Sequence, residues 1–358
     1  MTVKITKAAL NLREELADLR KPSGIAGEAL LRADSVQEVR DQIGAGRKNL
    51  IINGGFDVWQ RGTSTSLVGG PSYIGADRWK LYINTSSTVY MDRKDFTAGQ
   101  TEVTGNPKHY LKFDWLGTGS SRVKIMEQLI EDVHTTQGKP VTLTFWARTQ
   151  MADDPTISFT QKFGTGGSAA ATAHSEVVNC TTSWQKFTIT TTLPSISGKT
   201  VGIGSSLQIS FAFSGTLNSY LEIAQVQLEL GSVATDFEHR SYGEELALCQ
   251  RYYYAVAFLN TGVYNTDTSV FCTVNAPSTF RVTPSVSMKS GTYTNINIEK
   301  NDTYDINSVS LGHGSTQEYY KYNPLVVLGM PARSGYAGQA GMVSCDRNDD
   351  AFVFDAEL

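Results

Sequence analysis

Two hydrophobic periods divide the chain. Over residues 1–47, Ile5, Ala9, Leu12, Leu16 and Leu19 stand at alternating spacings of four and three, the seam of a short coiled coil. Thr6 is placed to cap the start of that helix, and Pro22 with Gly24 to end it. Ser35 and Glu38 then form a capping-box pattern ahead of Val36, Val39 and Ile43, with Gly44 and Gly46 as the stop. Two short helices with such narrow apolar stripes cannot form a core of their own in one chain. They either pack on the downstream chain or associate as a parallel homo-oligomer. A segment without aromatics makes a poor intramolecular domain, which favours the oligomer.

From Lys48 onward the period changes to two. In "VTLTFWART", Val141, Leu143 and Phe145 share one face, while Thr142, Thr144, Trp146 and Arg148 share the other. "KFTITTTL" repeats the device with Phe187, Ile189, Thr191 and Leu193, and "LQISFAF" with Leu207, Ile209, Phe211 and Phe213. In "LEIAQVQLELG" the apolar phase slips near Ala224, which predicts a β-bulge. Clusters rich in glycine, serine and asparagine separate these runs, the pattern of a β-sandwich. One helical window, "SYGEELALCQRYYY", interrupts it with Leu246, Cys249, Gln250 and Tyr253 at helical spacing. Further alternating strands follow, ending in "AFVFDAEL".

The expected organisation is mainly β. Residues 1–47 form a helical attachment and oligomerisation segment, and 48–240 a jelly-roll-like sandwich. Residues 241–251 form a linker helix, and 252–358 a second β-sandwich domain. The stretch "NLIINGGFDVWQRGTS" (Asn49–Ser64) marks the first seam and contains the first aromatic of the chain, Phe56. Gly54 and Gly55 are expected to supply a turn or bulge there, with Phe56 and Trp59 in the core.

Composition sharpens this picture. Residues 1–47 hold 15 charged residues and no aromatic, whereas the rest of the 358-residue chain holds all 36 aromatics. A net charge of −4 and the lack of a basic cluster argue against specific nucleic-acid binding. No apolar run approaches the length of a membrane span, and no signal peptide is read at the start. The four cysteines are widely spaced without a CxxC pair, as expected of small buried hydrophobes in a reducing compartment.

No constellation points to catalysis. "SISGKT" lacks the first glycine of a phosphate loop, since Leu193 stands there. The five histidines are isolated, and the paired acids (Asp153-Asp154, Glu244-Glu245, Asp349-Asp350) sit in turn or helix-start contexts rather than across an aromatic cleft. A non-enzymatic protein is expected. Aromatic platforms are the better candidates. An indole at Trp146 beside Thr144 and Arg148 on a polar β-face is suited to stack on a sugar, with hydroxyl and guanidinium fixing its orientation. The alternative is that a loop or neighbouring subunit covers that face. Trp79 and Tyr82 in "DRWKLY" form a second candidate pair.

Two resemblances meet in these motifs. "EALLRADSVQEVRDQIGAG" (Glu28–Gly46) resembles the stalk motif of bacteriophage tail-fibre proteins, with Ile43 in place of the usual leucine. The series "KNLIINGGFDVWQRGTS", "ADRWKL", "VTLTFWAR" and "LEIAQVQLELGSVATDFEHRSYGEELALCQRYYY" resembles phage virion proteins of the tail-fibre class. Their sandwich is similar to jelly-roll carbohydrate-binding modules. The resemblance implies a homotrimeric virion component, assembled in the host bacterial cytoplasm beside other tail or capsid proteins. Host surface polysaccharide is the implied ligand, with no cofactor. It also implies a structural calcium near the first strand in some members, for which Asn53 and Asp57 stand in about the right place. A capsid decoration or head-fibre protein and a glycan depolymerase are the alternatives.

Overall fold

A computed structural model describes residues 48–357, apart from 117–122, 151–153, 215–218, 257–261, 267–268, 289–293, 298–307, 312–323, 330–339 and 346–351. The helices expected over residues 1–47, with Ile5, Leu12, Leu16, Leu19, Val36, Val39 and Ile43, lie outside the described residues. The described chain is mainly β.

The first β region holds β1 (Ser64–Tyr73), β2 (Lys80–Asp95), β3 (His109–Leu116), β4 (Val123–Ile130), β5 (Pro140–Thr149), β6 (Thr156–Lys162), β7 (Ala171–Val177), β8 (Gln185–Thr192), β9 (Ser206–Ser214) and β10 (Ser219–Leu230). A single turn, α1 (Val133–Thr136), precedes β5. The strand order is β7-β6-β9-β4-β2-β3-β10-β5-β8, with β1 beside β2. The long β2 makes this a sandwich. Its first half pairs with β4 and its second with β3, so one strand passes from one layer to the other. β1 follows it through a register break between Val68 and Gly70.

The inner faces follow from the alternation. Phe145 of β5 meets Phe211 of β9 edge-on at 5.1 Å, and Phe113 of β3 meets Phe213 of β9 at 5.7 Å. The side chains at Val141, Leu143, Phe145, Ile209, Phe211 and Leu221 are all buried. Burial of such side chains at ~1.5–3 kcal/mol each is the main force holding the layers together.

The phase slip in β10 is a bulge. Register shifts between Ala224 and Gln227, and Gln225 takes a left-handed φ of 50°. The Val226 N–H, released from the ladder, donates to the Gly54 carbonyl at 2.9 Å. A Cβ at Gly54 would stand 2.1 Å from the Val226 oxygen, so only glycine fits.

The expected helix is present as α2 (Tyr242–Gln250), with Ser241 and Glu244 forming a capping box. Beyond it lie β11 (Tyr253–Val256), β12 (Gly262–Thr266), β13 (Ser269–Thr273), β14 (Ser285–Met288), β15 (Thr294–Asn297), β16 (Ser308–Leu311), β17 (Leu325–Gly329), β18 (Ala340–Cys345) and β19 (Phe352–Asp355). They form the orders β11-β19-β14 and β15-β18-β12-β13-β17-β16. Val270, Cys272, Phe280, Leu328, Phe352 and Phe354 belong to their common core.

A buried ionic seam ties this region to the sandwich. The Arg78 guanidinium pairs with Glu357 and lies 3.4 Å over the Tyr252 ring. Arg61 lies 3.2 Å from Glu357 and 3.6 Å from Asp77, and stacks on Tyr253 at 3.6 Å.

Candidate glycan-binding face

The outer face of the layer containing β3, β10 and β5 carries the most chemistry. Register places Ser64, Asp92, Lys112, Glu222 and Arg148 in one transverse row across β1, β2, β3, β10 and β5. Acid and base alternate along it. Ser64 Oγ donates to Asp92 at 2.7 Å, Lys94 Nζ lies 3.1 Å from Asp92, and Lys112 Nζ lies 2.9 Å from Asp114. Arg148 Nε donates to Glu222. Burial works against both cations. The bond to Asp114 nevertheless raises the Lys112 pKa, and the bond to Glu222 raises that of Arg148.

The next row carries the aromatics. Tyr90, Asp114 and Tyr220 are register partners across β2, β3 and β10. Tyr90 is 36% exposed, and the Tyr220 ring lies 5.1 Å from Lys112 Nζ. On the other side of the charged row stand Tyr110 and Trp146, and here the face is roofed. The segment 96–107 between β2 and β3 lays Phe96 and buried Val103 against Trp184, Tyr110 and Trp146. Phe96 lies 4.8 Å from the Tyr110 ring and 5.4 Å from Trp184. The Gln100 side chain clamps Val103, donating to its carbonyl at 2.8 Å and accepting from its N–H at 2.9 Å. Arg148 closes the cluster with its guanidinium 4.9 Å from the Trp184 ring.

These positions revise the candidates. Trp146 and Arg148 share the outer face, and the 96–107 loop packs against the indole and leaves it half-buried. Arg148 is the better site residue. Thr144 is 3% exposed, and the segment after β10 folds back beside it, where Thr235 donates to Glu229 at 2.7 Å. Trp79 is corrected outright. It has no exposed surface, packs 5.5 Å from Phe56, and its Nε1 donates to the Asn53 carbonyl at 3.1 Å. Tyr82 is 37% exposed but stands in the half of β2 that pairs with β4, beside Ile125 and Pro71. It therefore belongs to the other layer.

The calcium candidates part company as well. Asn53 is fully buried, and its amide is committed to protein. Its Nδ2 donates to the carbonyls of Val58 (2.8 Å) and Asp77 (3.1 Å), while Oδ1 accepts from Val58 N–H at 3.0 Å. Asn53 is a structural hub rather than a ligand. Asp57 lies 3.8 Å from His109 Nε2, and burial raises its pKa. Among the described residues no group of three or more His, Cys, Asp or Glu side chains is placed to hold a metal.

Sequence reading missed Tyr90, Asp114, Tyr220, Lys112 and Glu222. Each alternates with core residues in its own strand, a weak signal alone. Only the pairing of β2, β3 and β10 assembles them.

No protein-family model and no curated protein matches the chain. Among solved structures it is similar to the enzymatically active domain of tailspike protein 4 from bacteriophage CBA120, at 12% identity and TM-score 0.33. That alignment covers 51% of this chain and 21% of the tailspike. It is also similar to the module TmCBM61 in complex with β-1,4-galactotriose, at 14% identity and TM-score 0.31, over 52% of this chain and all of the module. A third likeness is the cyclase Fisc from Fischerella sp. TAU, at 13% identity and TM-score 0.35, over 52% and 98%. Such scores carry neither a ligand nor an activity across to this chain.

Proposed function

We propose that the protein is a phage virion appendage, a tail fibre or related part, that binds host surface glycan through the outer face around Arg148. The observation that carries the binding is the alternating row Asp92, Lys112, Glu222 and Arg148 flanked by Tyr90 and Tyr220. A sugar offers hydroxyls that bond to carboxylates and cations together, and a C–H face that stacks on an aromatic ring. Asp92, Lys112 and Arg148 are part-exposed here beside exposed Tyr90, while Glu222 is buried and holds Arg148 in place. The virion assignment rests on the stalk-like Glu28–Gly46 and the motif series from Lys48 to Tyr254.

The reading is non-enzymatic, because the carboxylates of the charged and aromatic rows are each engaged by a base: Asp92 by Lys94, Asp114 by Lys112, and Glu222 by Arg148. Shallow contacts bind weakly, and three copies on a trimer would compensate through avidity. The test is calorimetric titration with surface polysaccharide extracted from the host bacterium. Tyr90→Ala and Arg148→Ala should each weaken binding about tenfold, the loss of one good polar or stacking contact. Binding untouched by both variants would sink the site, and shortened polysaccharide chains would overturn the non-enzymatic reading. Microscopy of particles should place the protein on the tail, and density on the head would make it a decoration protein instead.

A further inference from the structure

A second feature lies away from that face. A cleft of about 500 Å³ opens between the loop after β6, the loop before β9 and the segment preceding β14. That volume suits one or two sugar units. Lys162 and Arg281 line it with the hydroxyls of Thr165, Ser168 and Ser206, and none of the described residues lining it is a carboxylate.

The charge around Arg281 is under-compensated. Its nearest acid among the described residues, Glu131, lies 3.5 Å from Arg281 Nε, but the same carboxylate accepts from Arg251 Nη2 at 2.9 Å. One carboxylate therefore serves two guanidiniums. The remaining Arg281 bonds are to neutral carbonyls of Ala356 (3.2 Å) and Glu357 (3.5 Å). Burial consequently holds the Arg281 pKa below its usual value, with Glu131 offsetting this only in part. An arriving anion would complete the set without displacing any carboxylate from the cleft.

The wall is preorganised. Thr165 and Ile203 exchange backbone hydrogen bonds at 2.9 and 3.2 Å, Gly202 N–H donates to Phe163 at 2.7 Å, and Ser168 N–H donates to Thr200 at 2.9 Å. The glycines permit this crossing. A Cβ at Gly202 would stand 2.1 Å from the Thr165 oxygen, and one at Gly164 would stand 2.4 Å from the Ile203 oxygen. On this stapled rim Ile203 is 83% exposed, a large apolar side chain held out beside the cations. Phe163 lies beneath, with Lys199 Nζ 5.9 Å from its ring. Bare anion binding has no use for such apolar surface, whereas a ring bearing both a C–H face and an acid has.

We propose that this cleft binds a carboxylated sugar, a uronic acid residue of surface polysaccharide. Lys162 and Arg281 would take its carboxylate, the three hydroxyls its ring oxygens, and Ile203 its apolar face. The proposal rests on the glycan-binding reading above but uses none of the same residues. The two therefore report separately in one experiment.

The full chain, isotopically labelled, is titrated with methyl α-galacturonoside and, in parallel, with neutral methyl α-galactoside. The uronoside should shift the backbone amides of Thr165, Gly166, Ser168 and Gly204, and the neutral sugar should not. Lys162→Gln should weaken the uronoside about tenfold, the loss of one charge-assisted contact. Ile203→Asp, on a fully solvated rim, should do the same without affecting folding. Absent shifts at these amides, equal shifts by both sugars, or affinity unchanged in both variants would overturn the proposal. Displacement by equimolar inorganic phosphate would also overturn it, reducing the cleft to a simple anion site. Shifts at Tyr90, Asp114 and Tyr220 report on the sheet face independently, so either reading can fail alone.

Discussion

Asp77 illustrates how burial sets the chemistry of single residues in this protein. Its carboxylate is sealed from solvent, accepts from the Gln60 N–H at 3.0 Å, and has Arg61 at 3.6 Å. Burial outweighs these partners and lifts its pKa from 3.8 to about 6. A raised acid binds its proton more tightly in the folded state than in the unfolded one. Its contribution is therefore most favourable below about pH 4 and is lost as pH rises through about 6. Asp77→Asn should flatten the dependence of melting temperature on pH between 4 and 6, measured by calorimetry. An unchanged slope would show that Asp77 does not titrate there. Trp79 argues the same point for apolar groups. Its spacing in "DRWKLY" allowed a surface ring, but its neighbours Phe56 at 5.5 Å and Phe211 at 6.2 Å make it core. Trp79→Ala should cost roughly 3–5 kcal/mol in denaturant unfolding, whereas a loss below 1 kcal/mol would return the indole to the surface.

At the scale of elements, the bulge in β10 was partly legible. The apolar phase slips at Ala224 because an extra residue moves the alternation to the other face. What receives the bulge was not legible, since Gly54 and Val226 are far apart in the chain. Their 2.9 Å bond and the absent Cβ now explain the glycine. Gly54→Ala should destabilise the fold by about 1–3 kcal/mol, the usual cost of overpacking, read as a lower urea midpoint. An unchanged midpoint would mean that the strand can move away at little cost. The roof over Trp146 is a similar case. The strand pattern put the indole on the outer face, but the segment 96–107 that half-buries it carries no periodic signal of its own. Only its seating of Phe96 and Val103 against Trp184 reveals the cover.

For the whole molecule, the proposed trimer makes a separate claim. If residues 1–47 hold three copies together, Leu12→Asp with Leu16→Asp should give monomers by light scattering, because charge is not tolerated in a heptad seam. A species that remains trimeric would move the contact to the β regions. Avidity follows the same logic: the monomeric variant should lose polysaccharide affinity far beyond any change in a single site.

Much of the architecture was present in the order of residues alone. The period-two runs predicted strands, the helical spacing of Leu246, Cys249, Gln250 and Tyr253 predicted α2, and the phase slip predicted the bulge. These are local signals, decided by which faces of a strand or helix must leave water. The tertiary structure decided everything that depends on pairing. It chose which polar faces remain open, sent Trp79 and Asn53 inward, and aligned Asp92, Lys112, Glu222 and Arg148 from four strands into one row. It also set Arg281 against a cleft whose other cation, Lys162, is far away in the chain. The physical reason is the same throughout. Alternation says that a side chain leaves the core, but only the neighbouring strand or loop determines whether it meets water, a partner charge or a roof.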